Sequence, residues 1–202
     1  MGFGLAADRV RDGRLAHGRR VAALCSCVQR YRPIGHRATL SFLAELAGPY
    51  QRHEHALLRA LDALEASRAV WLVEVGAYAE RRAAEKRLGR RSPRRDDPFP
   101  ASAGGHWYAT KPDVSRRAAL HALKLWERAD EPVTTTSNAL AVRSLVRECI
   151  ATGGRLAPHQ LAALTDSVTV LAEREYRVDA REYYEARALR WAARLVASAV
   201  RG

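Results

Sequence analysis

The side chains of this chain that could do chemistry are sparse, and their spacing excludes most of the chemistry. His53-Glu54-His55 uses metal-ligand residue types. Two positions apart on a helix, however, the imidazoles point about 200° away from each other and cannot close on one ion; helical zinc sites use i and i+4. Cys25-Ser26-Cys27 has the same fault, and Cys149 is the remaining thiol. The cysteines therefore read as buried or half-buried groups rather than as a zinc or redox site. Glu-x-x-His is absent from the sequence, which removes the usual carboxylate-bridged di-iron bundle. No metal and no cofactor is expected.

Nucleotide chemistry is equally poorly supported. Gly2-Phe3-Gly4-Leu5-Ala6-Ala7 has the letters of a dinucleotide turn, but such a turn needs a preceding strand and only Met1 precedes it. Neither a GxxxxGK[ST] phosphate loop nor a GxSxG nucleophile elbow occurs. For acid-base work the strongest candidate is Glu74, set in the apolar run from Ala69 to Tyr78, where burial would raise its pKa. Its simplest role is a buried carboxylate paired to an arginine, and Arg68 lies six residues before it. His121, inside an apolar helical stretch, reads as a core or boundary histidine. Glu74, Tyr78 and His121 are the polar groups that a pocket between the two halves of the chain would draw on, but their spacing defines no catalytic set. The sequence leans toward a non-enzymatic protein without deciding it: an enzyme with an inter-helix pocket is the second alternative, and no catalytic residue is identified.

Charge is the one strong deviation. From Arg81 to Arg95 the sequence is RRAAEKRLGRRSPRR, in which Arg81, Arg82, Lys86, Arg87, Arg90, Arg91, Arg94 and Arg95 face a single acid, Glu85. That local excess of seven is more than half of the formal net charge of +12. A concentrated patch of this kind attracts a polyanion, either nucleic acid or an acidic protein partner. The plainer reading is a solvated helix terminus, because the helix dipole favours cations at a C-terminus. Arginine supplies 31 of the 34 cations, beside Lys86, Lys111 and Lys124. A GC-rich genome would produce such a skew whatever the protein binds, yet guanidinium also forks onto phosphate and carboxylate in a way ammonium does not.

The elements that must position these groups are helices. Apolar residues recur at three- and four-residue steps throughout, with no convincing alternating strand, so the fold class is all-α: a bundle of about seven helices with one long central helix and a Pro- and Gly-rich connector. A first helix is expected over 14–31, closed by Pro33 and Gly35, and a short second over 37–46, ended by Gly48 and Pro49. Tyr50 to Leu88 is the longest periodic run. Leu57, Leu61, Leu64, Trp71, Val75 and Tyr78 fall on one heptad-like seam, interrupted at Arg68, that would serve self-association into a homodimer or a protein partner. A helix of 39 residues would be about 60 Å long, beside a radius of gyration near 17 Å for a compact globule of this length, so it either kinks at Gly76 or projects. If it persists to Leu88, the basic run divides into a helical part and a freer part beyond.

Residues 1–88 thus form an N-terminal helical region, 89–112 a basic, Pro/Gly-rich connector and 113–202 a C-terminal bundle. Phe99, Trp107 and Tyr108 of the connector should dock on the protein's own helices. The bundle reads as helices over 114–129 and 138–151, one starting at Pro158, and a last one opened by the capping box Asp179-Ala-Arg-Glu182. The stripe Leu161, Leu164, Val168, Leu171 leaves no break for a helix-turn-helix. The apolar run Val21–Val28 is too short for a secretory signal and nothing approaches a membrane span. With an odd number of cysteines and no disulfide framework, a cytoplasmic protein without membrane contact is expected.

Overall fold

A computed structural model of the chain describes residues 2–92, 104–129, 136–174 and 180–201, the side chains of 171–174 and 180–182 excepted. Among the described residues there are eight helices and no strand: α1 (Phe3–Arg11), α2 (His17–Arg30), α3 (His36–Ala47), α4 (Glu54–Arg87), α5 (Pro112–Ala129), α6 (Ser137–Ala151), α7 (Pro158–Arg174) and α8 (Ala180–Arg201). The all-α reading holds, with one helix more than expected. The addition is α1, whose Gly4 depresses helix propensity and whose N-cap, Gly2, supplies no side-chain hydrogen bond. It forms because Phe3, Ala6, Ala7 and Val10 lie on one face and are buried. The chain separates into two compact units, one built on α1–α4 with Tyr108–Thr110, the other on α5–α8 with Gly104–Trp107.

In the first unit, Arg14 holds the turn after α1 by hydrogen bonds from its side chain to both Asp12 carboxylate oxygens, at 2.8 and 3.0 Å. Those bonds lower the Asp12 carboxyl to about 2. α2 then returns along α1, burying Leu24, Cys27 and Val28. Its Arg20 is 3% exposed and makes two ties at once: Nε donates to the Val10 carbonyl at 2.7 Å, and Nη1 meets Glu54 at 2.6 Å. One guanidinium therefore joins the end of α1, the first turn of α2 and the start of α4. Arg59 of α4 does a similar service for α3, donating to the Ala47 carbonyl at 2.6 Å.

α4 runs uninterrupted for 34 residues, about 51 Å at 1.5 Å per residue. Its first half is core: Ala56, Leu57, Ala60, Leu61, Leu64 and Ser67 are buried. The Tyr31 hydroxyl and Ser67 Oγ hydrogen-bond at 2.9 Å, and the Tyr31 and Trp71 rings lie 5.3 Å apart. Burial drives the Tyr31 phenol far above its ordinary pKa, more than the Ser67 bond lowers it. Arg68, the break in the apolar seam, lies 4.5 Å over the Phe3 ring, a cation–π contact that lets a charge sit between apolar neighbours. Beyond Ser67 most of the surface of α4 is exposed, including Leu72 and Val73, while Tyr78 and Arg82 are buried.

In the second unit α8 packs on α5, α6 and α7. Its contact with α5 is the most extensive, and small residues are prominent among the buried positions of the two helices, Ala118, Ala119 and Ala122 beside Leu123 on α5 and Ala192 and Ala199 beside Leu189, Leu195 and Val196 on α8. Alanine allows helix backbones to approach closely, so packing depends on fit rather than side-chain bulk. At one end of α8 a buried ion pair joins it to α6: Arg143 Nη2 donates to Glu185 at 2.7 Å, with the guanidinium 5.5 Å from the Trp126 ring. At the other end the backbone comes so near that Gly154, at φ 92°, has no room for a side chain: an added Cβ would lie 2.9 Å from the Ala199 carbonyl oxygen. α6 opens on Thr136, whose hydroxyl accepts from the Ala139 amide. α7 passes without a break through 165–167. Asp179 of the expected capping box lies outside the described residues.

Of the connector aromatics, Trp107 and Tyr108 are buried, and Ser115 Oγ donates to the Trp107 carbonyl at 2.6 Å; Phe99 lies outside the described residues. His106 Nδ1 and Ser198 Oγ are 2.7 Å apart, and burial, then the charge of Arg201, lowers the imidazole pKa.

Two outcomes follow. Arg20→Met removes the donor from the buried Val10 carbonyl and should lower stability by about 2 kcal/mol in chemical denaturation followed by circular dichroism, whereas Glu54→Gln, at an exposed partner, should change it far less. His106 stays neutral in the fold below the pH at which it protonates in the unfolded chain. Its contribution is therefore complete above about pH 6.5 and is lost as pH falls through its lower folded-state pKa. Wild type should lose stability relative to His106→Gln between pH 7 and pH 5, and parallel curves would refute the assignment.

Candidate polyanion-binding surface at the end of the long helix

Seven-residue spacing sorts the side chains of the second half of α4. Trp71, Val75, Tyr78, Arg82 and Glu85 continue the stripe of Leu57, Leu61 and Leu64 by alternating steps of four and three, so they share its face. Leu57, Leu61 and Leu64 are fully buried in the core of the first unit, Tyr78 is buried and Trp71 and Val75 are half-buried. The seam expected to serve a partner is therefore largely an internal face of its own unit. The reason is local: α1, α2 and α3 all pack on α4.

The inward stripe also captures charge. Arg82 and Glu85 pair with each other, their side chains 9% and 15% exposed. Arg82 in addition donates from Nη2 to the Arg91 carbonyl at 3.2 Å. Of the eight cations singled out in the sequence, Arg82 is thus internal, and it withdraws Glu85, the acid within the run. Arg81, Lys86, Arg87, Arg90 and Arg91 are exposed. Arg81 also lies 5.2 Å from the Tyr78 ring centroid. Arg94 and Arg95 lie outside the described residues.

The run divides at the end of α4, with Arg81 to Arg87 helical and Arg90 and Arg91 beyond the helix. α4 ends in a Schellman turn: Gly89 takes φ 82°, its amide donates to the Lys86 carbonyl at 3.0 Å, and the Arg90 amide reaches back to the Glu85 carbonyl at 3.0 Å. Together with the Arg82–Arg91 bond, this folds the chain onto the helix end and fixes the backbone of Arg90 and Arg91 beside Lys86 and Arg87. The five exposed cations wrap around one end of the rod rather than lining one stripe.

The other candidates fall elsewhere. Glu74 stands on the exposed side of α4, not buried against an arginine as expected; partial desolvation raises its pKa, and Arg68 turns to Phe3 instead. Glu74 and Tyr78 belong to the first unit and His121 to the second. His53 and His55 do not diverge as two helical residues would. His53 precedes α4 in extended backbone, and the rings stack at 5.7 Å. Among the described residues no group of three or more His, Cys, Asp or Glu side chains could hold a metal ion. Cys27 and Cys149 are buried free thiols, both pushed up to about 11 by burial, and Cys25 is half-buried and also raised. No described helix is long and apolar enough to cross a membrane.

A groove that the sequence reading missed lies wholly within the second unit, between α7 and α8, with a volume of about 390 Å³. Its signal was present: Arg190, Arg194 and Arg201 fall at i, i+4 and i+11 on the same face of α8 as Ala193 and Ala197. None of Glu74, Tyr78 and His121 lines it. Comparison of the chain with protein-family models, with curated proteins and with solved structures finds no match.

Burial and raised pKa make the thiols poor nucleophiles at neutral pH. Native protein at pH 7.5 should leave Cys27 and Cys149 unmodified by Ellman's reagent over an hour, with all three cysteines reacting within minutes in denaturant. Rapid native labelling of either residue would contradict their burial.

Proposed function

We propose that the protein is a non-enzymatic binder of polyanions, nucleic acid foremost, that works through the cationic end of α4. The observation that carries this is the sorting of charge: Glu85 is turned inward with Arg82, while Arg81, Lys86, Arg87, Arg90 and Arg91 are exposed around one helix end. A surface of arginines contacts phosphates by forked hydrogen bonds and releases condensed counterions, a mode that gives affinity without reading bases. The free thiols support a reducing, cytoplasmic setting for this role.

A second reading is binding of a protein partner, or of a second copy of the chain, along α4. It draws on Leu72, 42% exposed, and Val73, 73% exposed, since the expected seam is largely internal. Polyanion binding is preferred because five exposed cations gather at one helix end, against the two exposed aliphatics Leu72 and Val73.

Fluorescence anisotropy with labelled single- and double-stranded DNA and RNA tests the reading. Binding at low salt should weaken steeply as salt rises. The triple substitution Arg87→Ala, Arg90→Ala and Arg91→Ala should reduce the magnitude of the log–log salt slope by about 0.9 per lost duplex-phosphate contact. Absence of binding at low salt, or an unchanged slope in the triple variant, would remove the proposal. Concentration-dependent sedimentation abolished by Val73→Glu would favour the second reading.

A further inference from the structure

We propose that the turn between α2 and α3 is a second phosphate-contacting surface, and that together with the end of α4 it grips a nucleic-acid duplex at two places. The inference rests on the polyanion reading and deepens it, naming the form of nucleic acid that the surface takes.

From Gly13 to Ala44 the chain carries no aspartate or glutamate, yet Arg14, Arg19, Arg20, Arg30, Arg32 and Arg37 all fall there. Folding disposes of two of them: Arg14 pairs with Asp12, and Arg20 is buried against Val10 and Glu54. Arg30, Arg32 and Arg37 remain exposed, with exposed His36 among them. The backbone beneath these side chains is set. Tyr31, Pro33 and Ile34 are buried, the Gly35 amide donates to the Arg32 carbonyl at 3.1 Å, and Gly35 turns the corner at φ 89°. Arg30 and Arg32 are thus the outward side of a turn whose inward side is anchored. The helix dipole gives no internal reason for the third arginine: Arg37 stands in the first turn of α3, where no acid accompanies it and a cation is disfavoured.

The turn and the end of α4 are held on the same stripe of the long helix. Tyr31 reaches α4 through its hydrogen bond to Ser67 and its ring contact with Trp71. Farther along that stripe Arg82 holds the Arg91 carbonyl. All of these residues belong to the first unit, so one continuous helix sets their spacing. From Trp71 to Arg82 the rise is about 17 Å, the length of roughly five base pairs. Val75 and Tyr78, between them on the stripe, carry no charge, and the negative charge of Glu74 acts on Tyr31, so the cations form two clusters and not one. Two fixed clusters favour a stiff ligand. A DNA duplex is straight over five base pairs, its persistence length being about 150 base pairs, and meets both clusters without first being ordered. A single strand must be extended to do the same, and a lone phosphate reaches only one cluster.

The test is fluorescence anisotropy of the full chain with a labelled DNA duplex of about 16 base pairs and with one of its strands alone. Wild type should bind the duplex more tightly than the strand at the same salt. Arg30→Ala with Arg32→Ala should weaken duplex binding about tenfold and reduce the magnitude of the log–log salt slope by about 1.8, for two lost contacts. Arg19→Ala with Arg52→Ala removes the same charge from exposed positions near the starts of α2 and α4, and should leave both quantities close to wild type. If the Arg30 and Arg32 pair loses helix by circular dichroism, Arg37→Ala decides, with an expected change in slope of about 0.9. Absence of wild-type binding at low salt would remove the polyanion reading and this inference with it. Duplex binding that weakens on loss of Arg87, Arg90 and Arg91, but responds to loss of Arg30 and Arg32 no more than to loss of Arg19 and Arg52, would overturn the second surface alone. Tighter binding of the single strand would overturn the duplex assignment.

Discussion

A helix ends on carbonyls that have lost their intrahelical donors, and the first unit meets that requirement with arginine. Arg20 supplies the Val10 carbonyl near the end of α1, and Arg59 supplies the Ala47 carbonyl at the end of α3. Arg82 performs the related task of holding the backbone that leaves α4, at the Arg91 carbonyl. Guanidinium suits this use because it carries several donors in one plane and can satisfy a carbonyl and a carboxylate together, as Arg20 does with Val10 and Glu54. That one buried side chain ties α1, α2 and α4 together, and withdrawing it leaves a desolvated acceptor without its donor. A basic composition is therefore only partly a statement about the surface.

The second unit uses different means. α5 and α8 bury several alanines beside larger aliphatic side chains, and the Arg143–Glu185 pair joins α6 to α8 at a buried position. An ion pair out of water adds little net stability, but separating its members would leave a buried charge uncompensated, so it disfavours other registers of α6 against α8. Between α7 and α8 the packing leaves the groove.

What could be read from sequence follows the same division. Helix existence was legible wherever apolar residues recur at three and four: α3 begins and ends within a residue of expectation, and Pro158 and the Gly153–Gly154 pair mark their turns as expected. α1 was not, because Phe3, Ala6, Ala7 and Val10 form a stripe too short and too alanine-rich to stand out beside two glycines. The heptad seam of α4 was correctly periodic, but period alone does not say whether the covering surface belongs to the same chain. Charge was the least legible. Arg82 and Arg81 are adjacent in a uniformly basic string, and only the helical phase that continues from Leu64 to Tyr78 turns one inward and the other out. Likewise Glu74 sits among apolar letters yet faces away from the core, because those letters supply both sides of a helix only half covered.

The Schellman turn at Gly89 also changes what the charges beyond α4 mean. It folds the backbone of Arg90 and Arg91 back toward the carbonyl end of α4, where the helix dipole is negative, so part of their positive field is offset by their own backbone. A count of arginines along this stretch therefore overstates the potential that the surface presents.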